Sequence, residues 1–276
     1  MKVSCTVLRG EGGSNLSDLP DYGRKKENKM NKKGIVKTSN LLEDEKLYRY
    51  INLKQFISII ESNQISLTKI TKWEDTWEIP EGKIPALLDN GEISYPKWSI
   101  DEIIYGMCWS RKMESDALWR IYSPNKDGLI LQTSVKKFNQ LDEIHYGLLA
   151  PIIYYDNLLK AMQELQENKG YPHPFSRAFL KRTAFEHEYE VRLVTLNDEK
   201  CLNIIRENGN FINISLNPLN FIENIIIDPR ADDWYVETIK KYCERAGFSF
   251  EPIRSNLYNL DLYKEAKIVM KFTPVD

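Results

Sequence analysis

The chain has 276 residues, 42% of them hydrophobic and 28% charged, with 38 Lys and Arg against 40 Asp and Glu. That length can bury a sizeable core as one large domain or two small ones. A net charge of −2 argues against a nucleic-acid coat or a polybasic membrane binder, and no apolar run approaches the roughly 20 residues of a membrane span.

Cys5, Cys108, Cys201 and Cys243 lie far apart with no CxxC spacing, so neither a zinc site nor a disulfide framework is suggested. The N-terminus lacks the apolar stretch of a signal peptide. The expectation is a cytoplasmic protein with no membrane partner.

Residues 1–40 carry nine Lys and Arg against four Asp and Glu, with little periodicity. They are expected to be a flexible basic segment ahead of a single α+β domain spanning 41–276. Order is expected from KLYRYINL (46–53), whose first residues alternate as a strand. Asn52 can cap a helix with Leu53, Phe56, Ile57 and Ile60 as its apolar stripe. QISLTKI (64–70) reads as a strand and KWEDTWEIPEG as an irregular loop. IIYGMCWS (103–110) and DGLILQT (127–133) read as strands on either side of a helix over SDALWRIYS (115–123). A helix is predicted over 152–168, then a Pro-rich turn, GYPHPF, and more helix over 175–185. That helix runs into a strand over AFEHEYEVRLV (184–194). A strand at 221–229, a helix ending at Gly247 and a strand at 248–253 close the chain. Without steady β–α alternation this points to α+β and not to a doubly wound parallel sheet.

There is no P-loop, GxGxxG, HExxH or GxSxG, which removes the main support for several enzyme classes. The three histidines, His145, His173 and His187, have no metal-like spacing. In AFEHEYEVRLV, strand alternation would put Glu186, Glu188, Glu190 and Arg192 on one face, with Lys181 and Arg182 nearby. Carboxylates on a cleft-facing strand beside cations suit acid/base work or stabilisation of an oxocarbenium ion. A solvated edge strand would carry the same residues. Glu190-Val191-Arg192 also matches in part the E-x-K half of a metal-dependent nuclease site, with Asp75 or Glu74 as the second carboxylate. Arg49, between Tyr48 and Tyr50, suits a planar or phosphate-bearing ligand or a structural salt bridge. Cys108-Trp109-Ser110 ends a strand as at the mouth of a pocket.

The ordered series LYRY (47–50), WEDTWE (73–78), CWS (108–110), DALWRIYS (116–123) and KRTAFEHEYEVRLV (181–194) resembles a bacterial family catalogued as domain of unknown function 2971. The likeness covers about residues 45–230. Thr76 stands where that family usually has Pro. The family name implies no activity.

An Arg on an early strand, a Ser ending a middle strand and a Glu on a later strand are also similar, more distantly, to ADP-ribosyltransferases of the Arg–Ser–Glu type. That resemblance implies a split mixed or antiparallel β-sheet with flanking helices and NAD as substrate, with no metal. Arg49 would hold the phosphates or the nicotinamide-side ribose, and Ser110 would position the ribose or the glutamate. Glu190 or Glu188 would bond the ribose 2′-hydroxyl, and Trp119 and Tyr122 would stack on nicotinamide. Tyr50, Trp109 and Arg192 complete the expected NAD-contacting set. Trp109-Ser110-Arg111 stands where those enzymes carry Ser-Thr-Ser. The implied function is an NAD-consuming transferase or glycohydrolase. It would act as the toxic effector of a toxin–antitoxin or anti-phage system, with a protein or nucleic-acid acceptor and an antitoxin or defence partner. A metal-dependent nuclease and a non-catalytic nucleotide- or nucleic-acid-sensing module are the alternatives.

Overall fold

The computed structural model describes residues 34–75, 77–78, 85–88, 90–95, 99–167, 175–207, 209–259, 264 and 267–270. In chain order these form β1 (Gly34–Lys37), β2 (Lys46–Ile51), α1 (Leu53–Ser62), β3 (Gln64–Lys69), β4 (Ala86–Leu87), β5 (Ile93–Ser94), β6 (Ile104–Ser110), α2 (Asp116–Tyr122) and β7 (Leu129–Ser134). There follow β8 (Tyr146–Pro151), β9 (Ile153–Tyr155), α3 (Leu158–Glu167), β10 (Leu180–Arg182), β11 (Glu190–Leu196), β12 (Phe211–Ser215), α4 (Pro218–Phe221), β13 (Asn224–Ile227), α5 (Asp233–Ala246) and β14 (Ile253–Arg254).

The main sheet runs β1-β8-β11-β6-β2-β7-β13-β14, and β12-β3 branches from β6. It is mixed: β1 on β8 and β14 on β13 are parallel, and the other pairs are antiparallel. Two strands share one edge of β6. β3 pairs with it at Gly106 and Tyr105, while β2 meets it only where Tyr48 opposes Ser110. The sheet therefore splits alongside Met107–Trp109. The connection that opens the split is α1, which carries the chain from β2 to β3. Its start is closed by a capping box between Asn52 and Gln55, which satisfies two backbone groups that the first turn leaves unpaired.

Side-chain parity assigns the two faces of the sheet. Leu47, Ile51, Met107, Trp109, Val191 and Leu193 enter one core with Phe56 of α1 and Val236 and Ile239 of α5. Ile104, Leu148, Ala150 and Val194 enter the other with Phe175, Phe179 and Ala161. On this second side Trp119 of α2 packs with Tyr48, Ile130 and Tyr50.

The α+β class and the split mixed sheet stand as expected, with differences in detail. The sheet starts at Gly34, inside the stretch expected to be loosely attached, because Gly34–Lys37 pair with Tyr146–Leu149. The helix expected over 152–168 is preceded by β9, since aromatic and β-branched Ile153-Tyr154-Tyr155 pair with β10. β10 itself interrupts the helix expected over 175–185. Of the strand expected at 248–253 only Ile253 pairs with β13, together with Arg254 just beyond it. Gly247 ends α5 at φ 96, the left-handed cap foreseen there. Residues 1–33, His173, Thr76 and the Pro-rich turn at 170–174 lie outside the described residues. Among the described residues no helix is long and apolar enough to cross a membrane.

Candidate active site

The charged stretch is not one strand. Thr183–Glu188 form a 3-10 turn, Tyr189 sits in the left-handed region at φ 47, and β11 begins at Glu190. Nor is it an edge: β11 lies between β8 and β6, and all seven of its residues are buried. A non-glycine residue in the left-handed region costs about 1–2 kcal/mol, and the end of β6 holds it there. The Ser110 hydroxyl donates to the Glu188 carbonyl at 2.6 Å, and the Arg111 N–H donates to the Tyr189 carbonyl at 2.9 Å. The reversal brings Glu188 and Glu190 to one cation. Lys181 of β10 donates to Glu188 Oε2 at 2.6 Å and to Glu190 Oε2 at 2.9 Å.

Glu190 and Arg192 follow each other on the same side of β11. Arg192 Nε donates to Glu190 Oε1 at 2.5 Å, its Nη2 to Glu190 Oε2 at 3.1 Å, and its Nη1 to the Ala178 carbonyl at 2.7 Å. Glu78 completes the network, 2.8 Å from Arg192 Nη2 and 3.4 Å from Lys181 Nζ. The Trp73 ring lies 4.1 Å from the Arg192 guanidinium. Burial opposes the ionisation of Glu190, but Arg192 and Lys181 outweigh it and hold its carboxyl at about 2. Glu78 keeps a raised carboxyl, because burial outweighs the same two cations. Burial and then Glu190 push the Cys108 thiol well up. Tyr154 accepts the Glu190 N–H at 2.9 Å, and burial raises its phenol to about 12.

Glu188 is the open member. Its side chain is 14% exposed against 3% for Glu190. Its Oε1 faces the Tyr122 hydroxyl at 3.4 Å, a long contact. Tyr122, 42% exposed, lies beside Tyr50 with ring centres 5.8 Å apart, and Tyr50 meets the edge of Trp119 at 5.1 Å. Burial and then the Glu188 charge keep the Tyr122 phenol protonated. The result is a half-buried carboxylate beside an accessible aromatic wall, where β2 and β6 part.

Of the residues singled out in the sequence, Glu188, Glu190, Ser110, Arg192, Tyr50 and Tyr122 come together on this face. Trp119 backs the wall and is fully buried, so it offers no ring face to a ligand. Arg192 is equally buried and spent on Glu190 and Glu78. Trp109 and Arg49 lie on the opposite face. Trp109 packs edge-on against Phe138 and Phe221 in the core. Arg49 reaches Met107 Sδ at 3.6 Å, with its guanidinium 6.0 Å from the Trp109 ring centre. Burial lowers its pKa, and it pairs with no carboxylate among the described residues. Parity along β2 separates it from Ser110, since Tyr48 is the residue that opposes Ser110. Asp75, the second carboxylate of the nuclease alternative, is held by Arg182 at 2.9 Å. Among the described residues, no group of three or more His, Cys, Asp or Glu has the geometry to hold a metal ion. Sequence reasoning missed Glu78 and Tyr154. Glu78 lies in the WEDTWE motif, the one available signal. Two surface clefts, about 770 Å3 beside Tyr242 and Arg245 and about 590 Å3 beside Ile57 and Trp234, lie between α1 and α5 and include none of these residues.

No protein-family model matches the chain, and no curated protein matches it. The resemblance to domain of unknown function 2971 thus rests on its motifs alone. Among solved structures, the chain is similar to DarT of Thermus sp. 2.9 in complex with NAD+, at 10% identity and a TM-score of 0.36 over 78% of this chain and 96% of that one. The same protein in complex with ADP-ribosylated ssDNA gives 10% and 0.36 over 79% and 96%. Its complex with carba-NAD+ gives 11% and 0.35 over 77% and 95%. Similarity of that size does not establish a shared fold, and the site stands on its own geometry.

Proposed function

We propose that the protein is an NAD-consuming ADP-ribosyltransferase or NAD glycohydrolase whose acting carboxylate is Glu188. The observation that supports this reading is the Glu188 carboxylate itself, with one oxygen on a shared Lys181 and the other accepting only a long bond from the Tyr122 hydroxyl. Departure of nicotinamide breaks the C1′–N bond. The electron pair leaves with the ring, and a cation of oxocarbenium character remains on the ribose. A carboxylate in a poorly solvated site stabilises that cation and accepts the 2′-hydroxyl proton as a hydrogen bond. Lys181 divides its charge among Glu78, Glu188 and Glu190, so Glu188 keeps enough negative character to act. Tyr122, supported by Tyr50, offers the nicotinamide a flat apolar partner. Lys112 lies 5.8 Å from the Tyr189 ring centre and pairs with no carboxylate among the described residues, which suits it to the pyrophosphate. Arg49 is not assigned that role, because its side chain lies across the sheet. The acceptor is a protein, a nucleic acid or water.

The test is nicotinamide release from NAD in EDTA, with and without cell lysate to supply an acceptor. Wild type releases nicotinamide, and Glu188→Gln loses about 10²–10³ in kcat. No release by wild type under either condition contradicts the reading. Unrestrained consumption of NAD would arrest a growing cell, which supports a role as toxic effector of a toxin–antitoxin or anti-phage system with a neutralising partner. Expression should stop growth, and Glu188→Gln should restore it.

A further inference from the structure

The helix that carries Tyr122 is two turns long and weakly capped. α2 has seven residues, and its N-cap, Ser115, makes no side-chain cap bond. A helix that short has no independent stability in water, so tertiary ties decide where it sits. Besides the packing of Trp119 on Tyr48, Ile130 and Tyr50, those ties come from later in the sequence. At its C-terminal end, Arg230 donates to the Trp119 carbonyl at 3.1 Å and the Ser123 carbonyl at 2.9 Å, a second donor to carbonyls that already accept the Ser123 and Lys126 N–H groups. Asp228 holds Arg230 in place at 2.7 Å.

At its N-terminal end, Glu114 Oε1 accepts from the Trp119 indole at 2.8 Å and from the Ser255 hydroxyl. The Tyr258 hydroxyl donates to Asp116 in the first turn. Ser115 N–H donates to the Tyr50 hydroxyl at 3.1 Å, which ties the same end to β2. A continuous line of contacts therefore runs from Ser255 and Tyr258 through Glu114, Asp116 and Trp119 to Tyr50, Tyr122 and Glu188.

We propose that Ser255 and Tyr258, in the segment after β14, are positioning residues of the site: they fix the start of α2, and so hold Tyr122 against Tyr50 and Glu188. Neither touches the reacting groups. The inference rests on the NAD reading of the site for its catalytic consequence and on the contacts alone for its structural part. Displacement of about 1 Å at a positioned group can cost up to about a hundredfold in rate. Because the residues act on orientation and leave the pyrophosphate end of the substrate untouched, the loss belongs in kcat.

The experiment compares wild type with Tyr258→Phe, Ser255→Ala and Ser255→Thr by hydrogen exchange over Asp116–Tyr122 and by nicotinamide release. Tyr258 is 45% exposed, and its Phe variant keeps the ring, so the fold is retained. Exchange over α2 should speed about tenfold in Tyr258→Phe and Ser255→Ala. In both, kcat should fall about tenfold with KM for NAD within about twofold, and Ser255→Thr should restore both readouts. Unchanged exchange over α2 overturns the brace. Faster exchange with kcat intact overturns the positioning role. A wild type that releases no nicotinamide refutes the NAD reading instead, and exchange then decides the brace by itself.

Discussion

Arg192 shows how one buried side chain can hold a site together and yet stay out of its chemistry. Its guanidinium meets two carboxylates, a carbonyl and the face of Trp73, all away from water. Removing Arg192 leaves Glu190 and Glu78 buried with Lys181 as their one shared cation, at about 3–5 kcal/mol. Arg192→Leu should therefore lower the unfolding free energy by about that amount in urea titration, and a loss below about 1 kcal/mol would contradict the network. Glu190 gives the network an acid limit. It binds its proton less tightly folded than unfolded, so its stabilisation is full above about pH 4.5 and is lost as pH falls towards 2. Glu78 has the opposite sign, since its raised carboxyl favours the folded state on acidification and offsets part of that loss. Glu190→Gln should be less stable than wild type at pH 7 yet lose less between pH 4.5 and 2. Urea midpoints at pH 7 and pH 3 read both effects.

At the scale of elements, the site depends on how β6 meets its neighbours. Gly106 faces Trp73, and a Cβ there would come within 3.0 Å of the Trp73 ring and 3.2 Å of the Leu193 carbonyl. Gly106→Ala should shift Trp73 by a few tenths of an ångström against Arg192, at an expected cost of about 1–3 kcal/mol, with the moved indole visible by near-UV circular dichroism. An unchanged spectrum and midpoint would show the packing to be looser than this. Elements whose signals are local were legible in the sequence: the Asn52 cap and apolar stripe of α1, the alternation of β2, the glycine that ends α5. The turn at Glu188 was not. The period-2 pattern of charges runs straight through it, and the strand is broken there by the turn bond from Tyr189 N–H to the Glu186 carbonyl and by the bonds from Ser110 and Arg111. Arg49 shows the same limit. An Arg–Ser–Glu order is readable along the chain, but which side of the sheet Arg49 faces depends on pairing that places Tyr48, not Arg49, opposite Ser110. Glu78 depends on contacts with residues more than a hundred positions away, which no local pattern carries.

For the whole molecule, the split between β2 and β3 opens one side of the central strand β6 while the remaining strands stay paired. The carboxylates sit beside that opening, and α2 lies over it, held from the C-terminal segment. Glu188 and Glu190 differ in exposure and in how many cations they meet, so they should separate in function as they do in space. The decisive measurement is the steady-state rate of nicotinamide release by Glu188→Gln and Glu190→Gln, each alongside its urea midpoint. Glu188→Gln should lose about 10²–10³ in kcat at a near wild-type midpoint, and Glu190→Gln should lose its midpoint first. Wild-type turnover in a well-folded Glu188→Gln would contradict the account.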